Sequence, residues 1–182
     1  MTVQAPITSS NRVLTLEDAD GTLSPLVLGT PVVTTSGTNV DFTGIPSWAK
    51  RITLMFSGVS TTGTAQPYLQ LGTSGGIEIT GYESGIGAIS ATANTTNGSI
   101  TVTAAFPLYH GATVAGAVIS GNLILANLSG NIWTVSGALL SGNRAVMLGG
   151  AKSLLGALTQ IRLTTAGATD TFDAGTVNIM YE

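Results

Sequence analysis

The segment Arg51-Ile52-Thr53-Leu54-Met55-Phe56-Ser57 decides the fold class of this chain. Ile52, Leu54 and Phe56 are spaced two residues apart, and successive side chains of a β-strand point to opposite sides. All three therefore fall on one face of an extended segment, whereas an amphipathic helix would repeat its apolar residues with a period of 3.6. The segment predicts a strand that buries one face.

Three further segments alternate in the same way and are rich in Thr, Val and Ile, which suit a pleated, half-buried surface; they cover residues 99–103, 160–164 and 176–181. Between such segments the chain carries signals of tight turns, because Gly and Asn tolerate positive φ. They are Asn97-Gly98 and three copies of Ser-Gly-Asn, at residues 120–122, 129–131 and 141–143. Short strands separated by Gly-rich turns predict an all-β, antiparallel β-sandwich, jelly-roll-like in architecture.

The first 29 residues differ from the rest and predict an extended N-terminal arm. They lack aromatic residues and contain one short alternating piece, whose residues are Arg12, Val13, Leu14, Thr15 and Leu16. We expect residues 1–29 to form this arm and residues 30–182 to form the β-sandwich domain. The alternative is that the arm is simply the first strand of that domain.

The composition excludes several classes of protein. The chain has 182 residues, no Cys, 24 Gly, a charged fraction of 8% and a net charge of −3. Disordered chains combine low hydrophobicity with high net charge, and this chain has neither. Disulfide scaffolds and thiolate zinc sites need Cys, which the chain lacks. Six basic against nine acidic residues cannot supply the footprint of a nucleic-acid partner. Polar residues interrupt every apolar run, so we expect no membrane insertion.

The charges are unevenly placed along the sequence. From Ser84 to Asn143 there is no Asp, Glu, Lys or Arg. Because the cores of protein interfaces are depleted of charged residues, this span predicts much of a contact between subunits. The alternative is a solvated surface of Ser, Thr and Asn.

The candidates for catalysis are few, and we expect no enzyme, no metal and no cofactor. His110 is the one histidine, and no Gly-x-Ser-x-Gly elbow accompanies it. Glu78 with Glu83, or Asp170 with Asp173, could act as paired carboxylates in a depolymerase, but capping of nearby turns is the structural alternative. Four aromatic residues are candidate glycan contacts or else core residues, namely Trp48, Tyr68, Tyr82 and Tyr109.

Two strings carry a resemblance to a known family. They are FTGIPSWAKRITLMF at residues 42–56 and TDTFDAGTVNI at residues 169–179. Together they resemble a domain of tailed-bacteriophage virion proteins, often found at the C-terminal end of tail fibres and related surface proteins. The resemblance covers residues 30–182, and the family offers no catalytic motif to transfer.

The resemblance implies a β-sandwich displayed on the virion surface, made in the host bacterial cytoplasm and assembled as a homotrimer. The short arm fits a capsid decoration (cement) or short head-fibre protein that docks on the major capsid protein or another virion protein. The alternative is a tail-fibre tip that recognises a host surface glycan.

Overall fold

The computed structural model describes residues 25–90, 96–110 and 113–182. Within these ranges the chain forms strands, one short 3₁₀ helix at Ala166–Ala168 and no α-helix, which confirms the all-β prediction. The strands are β1 (Val27–Leu28), β2 (Val32–Val33), β3 (Val40–Thr43), β4 (Arg51–Thr61), β5 (Pro67–Thr73), β6 (Gly76–Ile77), β7 (Tyr82–Ser90), β8 (Thr96–Val102), β9 (Phe106–Pro107), β10 (Ile119–Ser129), β11 (Ile132–Ser141), β12 (Arg144–Ser153), β13 (Gln160–Thr165) and β14 (Phe172–Tyr181).

The strands form two antiparallel sheets, as predicted for a β-sandwich. The large sheet runs in the order β1-β14-β4-β10-β11-β12-β7-β8, and β2 also pairs with β14. The small sheet runs β3-β13-β5-β6, and β9 also pairs with β5. The strands β10, β11 and β12 follow one another directly in both chain and sheet, as do β7 with β8 and β5 with β6, while the remaining neighbours are distant in sequence. The jelly-roll connectivity stays a prediction.

One continuous hydrophobic core lies between the two sheets. Ile52, Leu54 and Phe56 of β4 are all buried in it, as their period of two predicts. Ile161 and Leu163 of β13 supply the core from the small sheet. Alternation along each strand thus separates an inner, packed face from an outer face on both sheets.

The turn predictions hold at two of the three Ser-Gly-Asn sites. The copies at residues 129–131 and 141–143 connect β10 to β11 and β11 to β12. The copy at Ser120-Gly121-Asn122 lies inside β10, where the pairing with β4 shifts register, so the turn predicted there is wrong. An extra residue in a strand is a β-bulge, and it favours the same residue types as a turn. Asn97-Gly98 also lies inside a strand, β8, at another register shift.

The predicted docking residues Arg12, Val13, Leu14, Thr15 and Leu16 lie outside the described residues. Among the described residues of the predicted arm, Val27 and Leu28 pair with Tyr181 and Met180 of β14. This part of the predicted arm is therefore a short strand at one edge of the large sheet.

Candidate functional site

The outer face of the large sheet is broad and uncharged. One row across five strands joins Met55 of β4, Asn122 of β10, Ala138 of β11, Met147 of β12 and Gly87 of β7. We call this surface the outer face and define it by a set of outward residues of these strands that excludes the marginal row of Arg51 and Glu83. They are Thr53, Met55, Asn122, Ile124, Ser136, Ala138, Leu140, Met147, Gly149, Gly85, Gly87 and Ile89. None of these carries a charge.

Large apolar side chains protrude from the outer face. Met147, near its centre, is 58% exposed, and Leu140 and Ile89 are exposed at one end. Charges on the same side of the sheet lie in one row at the opposite margin, where Arg51 forms an ion pair with Glu182 and Glu83 lies on β7. An exposed apolar surface of this kind on a sheet is typical of an interaction site.

The uncharged span of the sequence supplies most of this surface. Strands β7, β10 and β11 fall between Ser84 and Asn143 almost entirely, and the register places them beside β4 and β12. The outward residues of these three strands therefore share one side of the large sheet, whereas β9 of the same span joins the small sheet. The subunit contact expected there stays a prediction.

Trp48 and Tyr68 are the two predicted glycan contacts with exposed ring surface. Trp48 is 38% exposed and meets Tyr181 edge-on, with the ring centroids 6.3 Å apart. Tyr68 is half-buried on the outward side of β5 in the small sheet. The two rings lie on different elements, and nothing in the structure brings them into one site.

Tyr82 and Tyr109 are core residues, exposed by only 2% and 3%. The Tyr82 hydroxyl accepts a hydrogen bond from the Leu71 amide at 2.7 Å and donates to the Glu78 carbonyl at 2.8 Å. The Tyr109 ring lies beneath the Arg144 guanidinium, 5.7 Å from its centroid. A buried ring cannot stack on a sugar, so the structure corrects the prediction for these two residues.

Three of the four candidate carboxylates bind distant parts of the chain together. Glu78 forms an ion pair with Lys152, whereas Glu83 is exposed at the margin of the outer face. Asp170 accepts a hydrogen bond from the Ala65 amide at 2.6 Å. Asp173 accepts one from the Ser60 hydroxyl. The last two contacts cross more than a hundred residues, so they fasten distant segments rather than cap the local turn that we expected.

His110 is buried, and neither of its ring nitrogens has a hydrogen-bond partner. Its carbonyl accepts a hydrogen bond from the Arg144 guanidinium. The buried hydroxyls of Thr113 and Ser141 also lack partners. Unsatisfied polar groups in a core lower stability, and no hydrogen bond links the histidine to a serine in the described residues.

Sequence analysis missed a polar arrangement on the small sheet. Arg162 of β13 lies opposite Asp41 of β3 on one side and Gln70 of β5 on the other. Its hydrogen bonds to Asp41 raise the pKa of the guanidinium above its ordinary value. The one available signal was the polar position of Arg162 between Ile161 and Leu163, which places it on the outward side.

Across the described ranges, no group of three or more His, Asp or Glu side chains is placed to hold a metal ion. No helix in the same ranges is long and apolar enough to cross a membrane. Comparison of this chain with protein-family models, with curated proteins and with solved structures finds no match.

Proposed function

We propose that this protein is a non-enzymatic structural protein of a bacteriophage virion, displayed on the particle surface as a capsid decoration (cement) or short head-fibre protein. The observation that supports the proposal best is the uncharged outer face, from which Met147, Leu140 and Ile89 protrude. A surface of this kind is suited to burial against other copies of the protein. The resemblance of residues 42–56 and 169–179 to phage surface proteins supports the same function.

The outer face is the proposed contact between copies in a homotrimer. Interface cores are poor in charge and rich in large apolar side chains such as Met, and the outer face has both properties. A mixture of Ser, Thr and Asn with these side chains keeps the face soluble before assembly. Many copies bound to one shell then stabilise it by mass action, since they bind only the assembled state.

The arm is the proposed anchor on the particle. An extended segment can add a strand to the edge of a partner's sheet, with main-chain hydrogen bonds supplying affinity. Arg12 to Leu16 have the alternation that such a strand needs. The partner would be the major capsid protein or another virion protein.

Particles that lack this protein test the cementing role. We expect virions without it to lose their contents at a lower temperature and after a milder osmotic shock than complete virions. Unchanged thermal and osmotic stability would contradict cementing. A chain without residues 1–20 should fold and yet fail to join the particle; normal incorporation would rule out the arm as the anchor.

The alternative assignment is a tail-fibre tip that recognises a host surface glycan. The half-exposed ring of Tyr68 on the small sheet favours it over a purely mechanical role. Antibody label separates the two assignments, because label on the head favours decoration and label on the tail favours the receptor-binding tip.

A further inference from the structure

A groove of about 300 Å³ lies on the outward side of the small sheet. Its lining includes Tyr68, Gln70, Arg162, Thr164, Asn39 and Ile79. The strand register fixes the arrangement, since Tyr68 lies opposite Thr164 and Gln70 lies opposite Arg162. The volume is at the lower end of the range of small-ligand sites, about 300–1,000 Å³.

Arg162 lines the groove, and its guanidinium is held by Asp41 of the neighbouring strand β3, which lies just outside the lining. Arg162 donates from Nε to Oδ1 of Asp41 and from Nη2 to Oδ2, both at 2.7 Å. Both side chains remain about one-third exposed. A guanidinium has five N–H donors and a carboxylate accepts several hydrogen bonds, so each group keeps capacity for a ligand.

The two charges also cancel each other. Arg162 is the one charged residue among those that line the groove, and Asp41 neutralises it. An anionic ligand would have to compete with the Asp41 carboxylate for the guanidinium. A neutral ligand with adjacent hydroxyl groups can instead accept from Arg162 and donate to Asp41 without breaking the pair.

Beside this pair, the groove offers an aromatic surface and an oriented amide. Tyr68 combines an apolar ring with a polar hydroxyl, which suits a ligand that has both an apolar face and polar groups. The Gln70 side chain is buried and held by a hydrogen bond from its Nε2 to the Ala104 carbonyl at 3.2 Å. Ile79 adds an exposed apolar rim.

A strained turn borders the same groove. Ala168 has a φ of 50°, and it is the one residue other than glycine with a positive φ in the described part of the chain. Gly167 beside it has a φ of 74°. A left-handed backbone conformation at a residue other than glycine is unfavourable, and such residues are concentrated at ligand sites. Here both Gly167 and Ala168 line the groove.

We propose that this groove is a binding site for a neutral saccharide. The apolar face of a sugar ring would stack on Tyr68, and two neighbouring hydroxyls would bridge Arg162 and Asp41. This role deepens the alternative assignment, glycan recognition, by naming the site and the ligand class. It is independent of the structural function, because the groove lies on the small sheet and the outer face lies on the large one. A decoration protein with such a site would also attach the particle to glycans.

The first test uses the full chain and an array of immobilised oligosaccharides. The neutral members are oligomers of glucose, galactose, mannose and N-acetylglucosamine, and the acidic members carry uronic or sialic acid. We expect at least one neutral oligomer to bind. No binding at millimolar concentration, or binding of acidic members alone, would overturn the proposal.

Chemical-shift mapping of the unmodified protein then locates the site. Addition of the bound oligomer should shift the amide signals of residues 68–70 and 162–164 together with that of Ala168. Shifts confined to other residues would overturn the assignment. This measurement needs no variant, so it remains decisive if a substitution impairs folding.

Substitutions separate stacking from the polar contact. Tyr68→Ala should weaken binding of that oligomer at least tenfold, while Tyr68→Phe should retain most of it. Asp41→Asn removes the carboxylate charge and should shift preference from neutral to acidic oligomers. The matched control is Arg51→Gln, which breaks an exposed ion pair with Glu182 on the other sheet and should leave binding unchanged. Equal affinity in Tyr68→Ala and the unmodified protein, with both folded, would contradict the proposal.

Discussion

Lys152 and Glu78 form an ion pair with Nζ and Oε2 2.5 Å apart, although the lysine side chain is only 5% exposed. The ammonium also donates to the Ser153 carbonyl and lies 5.5 Å from the centroid of the Tyr82 ring. The second carboxylate oxygen of Glu78 accepts from the Leu155 amide at 2.8 Å. The pair thus fastens the end of β12 to the segment between β6 and β7.

Breaking one side of this pair should destabilise the protein strongly. Glu78→Ala leaves the buried ammonium without a counter-charge, and we expect the free energy of unfolding to fall by about 3–5 kcal/mol. The double change Glu78→Leu with Lys152→Met removes both charges together and should leave the free energy of unfolding close to that of the unmodified protein, because apolar residues of similar volume can replace a buried ion pair at little cost. Urea unfolding of the three proteins measures both values. A double variant as unstable as Glu78→Ala would show that packing, rather than the unpaired charge, causes the loss.

Tyr82 should make the protein sensitive to alkali. Burial, together with the nearby Glu78, raises the pKa of its phenol above the ordinary value, although the hydrogen bond from Leu71 acts in the opposite direction. Above pH ~10 the unfolded chain therefore loses a proton that the folded chain keeps. Stability is fully present below that pH and falls as the pH rises further.

Absorbance of the tyrosinate group, followed together with circular dichroism, measures this effect. The Tyr82 phenol should ionise only as the fold is lost. Tyr82→Phe should flatten the alkaline fall in stability, at the cost of the hydroxyl's hydrogen bonds at neutral pH. A phenol that titrates while the fold persists, or an unchanged alkaline slope in Tyr82→Phe, would contradict the assignment.

Gly175 occupies a position that admits no side chain. Its φ is 92°, and an added Cβ would lie 2.4 Å from the carbonyl carbon of Gly58 and from the Val59 nitrogen. The site is a bulge where β14 shifts register against β4. We expect Gly175→Ala to lower the free energy of unfolding by about 2–4 kcal/mol, from backbone strain and steric conflict together.

Gly87→Ala is the matched control for this substitution. Gly87 also lies in a strand of the large sheet, but an added Cβ meets no atom within 4 Å. Its stability should stay the same or rise by up to about 1 kcal/mol. Thermal unfolding compares the two variants, and equal losses in both would refute the steric argument.

A charge placed at the centre of the outer face should prevent assembly. Met147→Arg puts an unpaired cation at a position from which the proposed contact would exclude water. Burial of a charge without a partner makes association unfavourable. We expect the mass measured by light scattering to fall from that of a trimer to that of a monomer, with the circular dichroism spectrum unchanged. Leu155→Arg is the control, since Leu155 is also exposed but lies beyond the end of β12. A trimer that survives Met147→Arg would move the contact to another surface.

The sequence predicted what depends on local periodicity. The period of Ile52, Leu54 and Phe56 identified a strand and its buried face, because alternation depends only on residues that are close together in sequence. Ser120-Gly121-Asn122 misled, because a bulge and a turn both favour residues that accept unusual dihedral angles. At this bulge the Ser120 hydroxyl accepts a hydrogen bond from the Gly58 amide at 2.9 Å. This contact forms only because β10 pairs with β4.

The candidate sites were harder to predict, because they depend on which strands become neighbours. Arg162 and Asp41 are 121 residues apart in sequence, and no local pattern relates them. Tyr68 and Tyr82 are the same residue type, but Tyr68 lies on the outward side of its strand and Tyr82 on the side that faces the core. Composition alone could not separate them.

The position of β14 sets the order in which this protein can form. It lies inside the large sheet, between β1 and β4, although it comes latest in the chain among the described strands. During synthesis β4 therefore keeps one edge open until residues 172–181 have left the ribosome. Folding of a sheet closed by such distant strands is slow, and the nascent chain exposes an unpaired apolar strand throughout that delay. Chaperones that shield such strands would then determine how much functional protein a cell obtains.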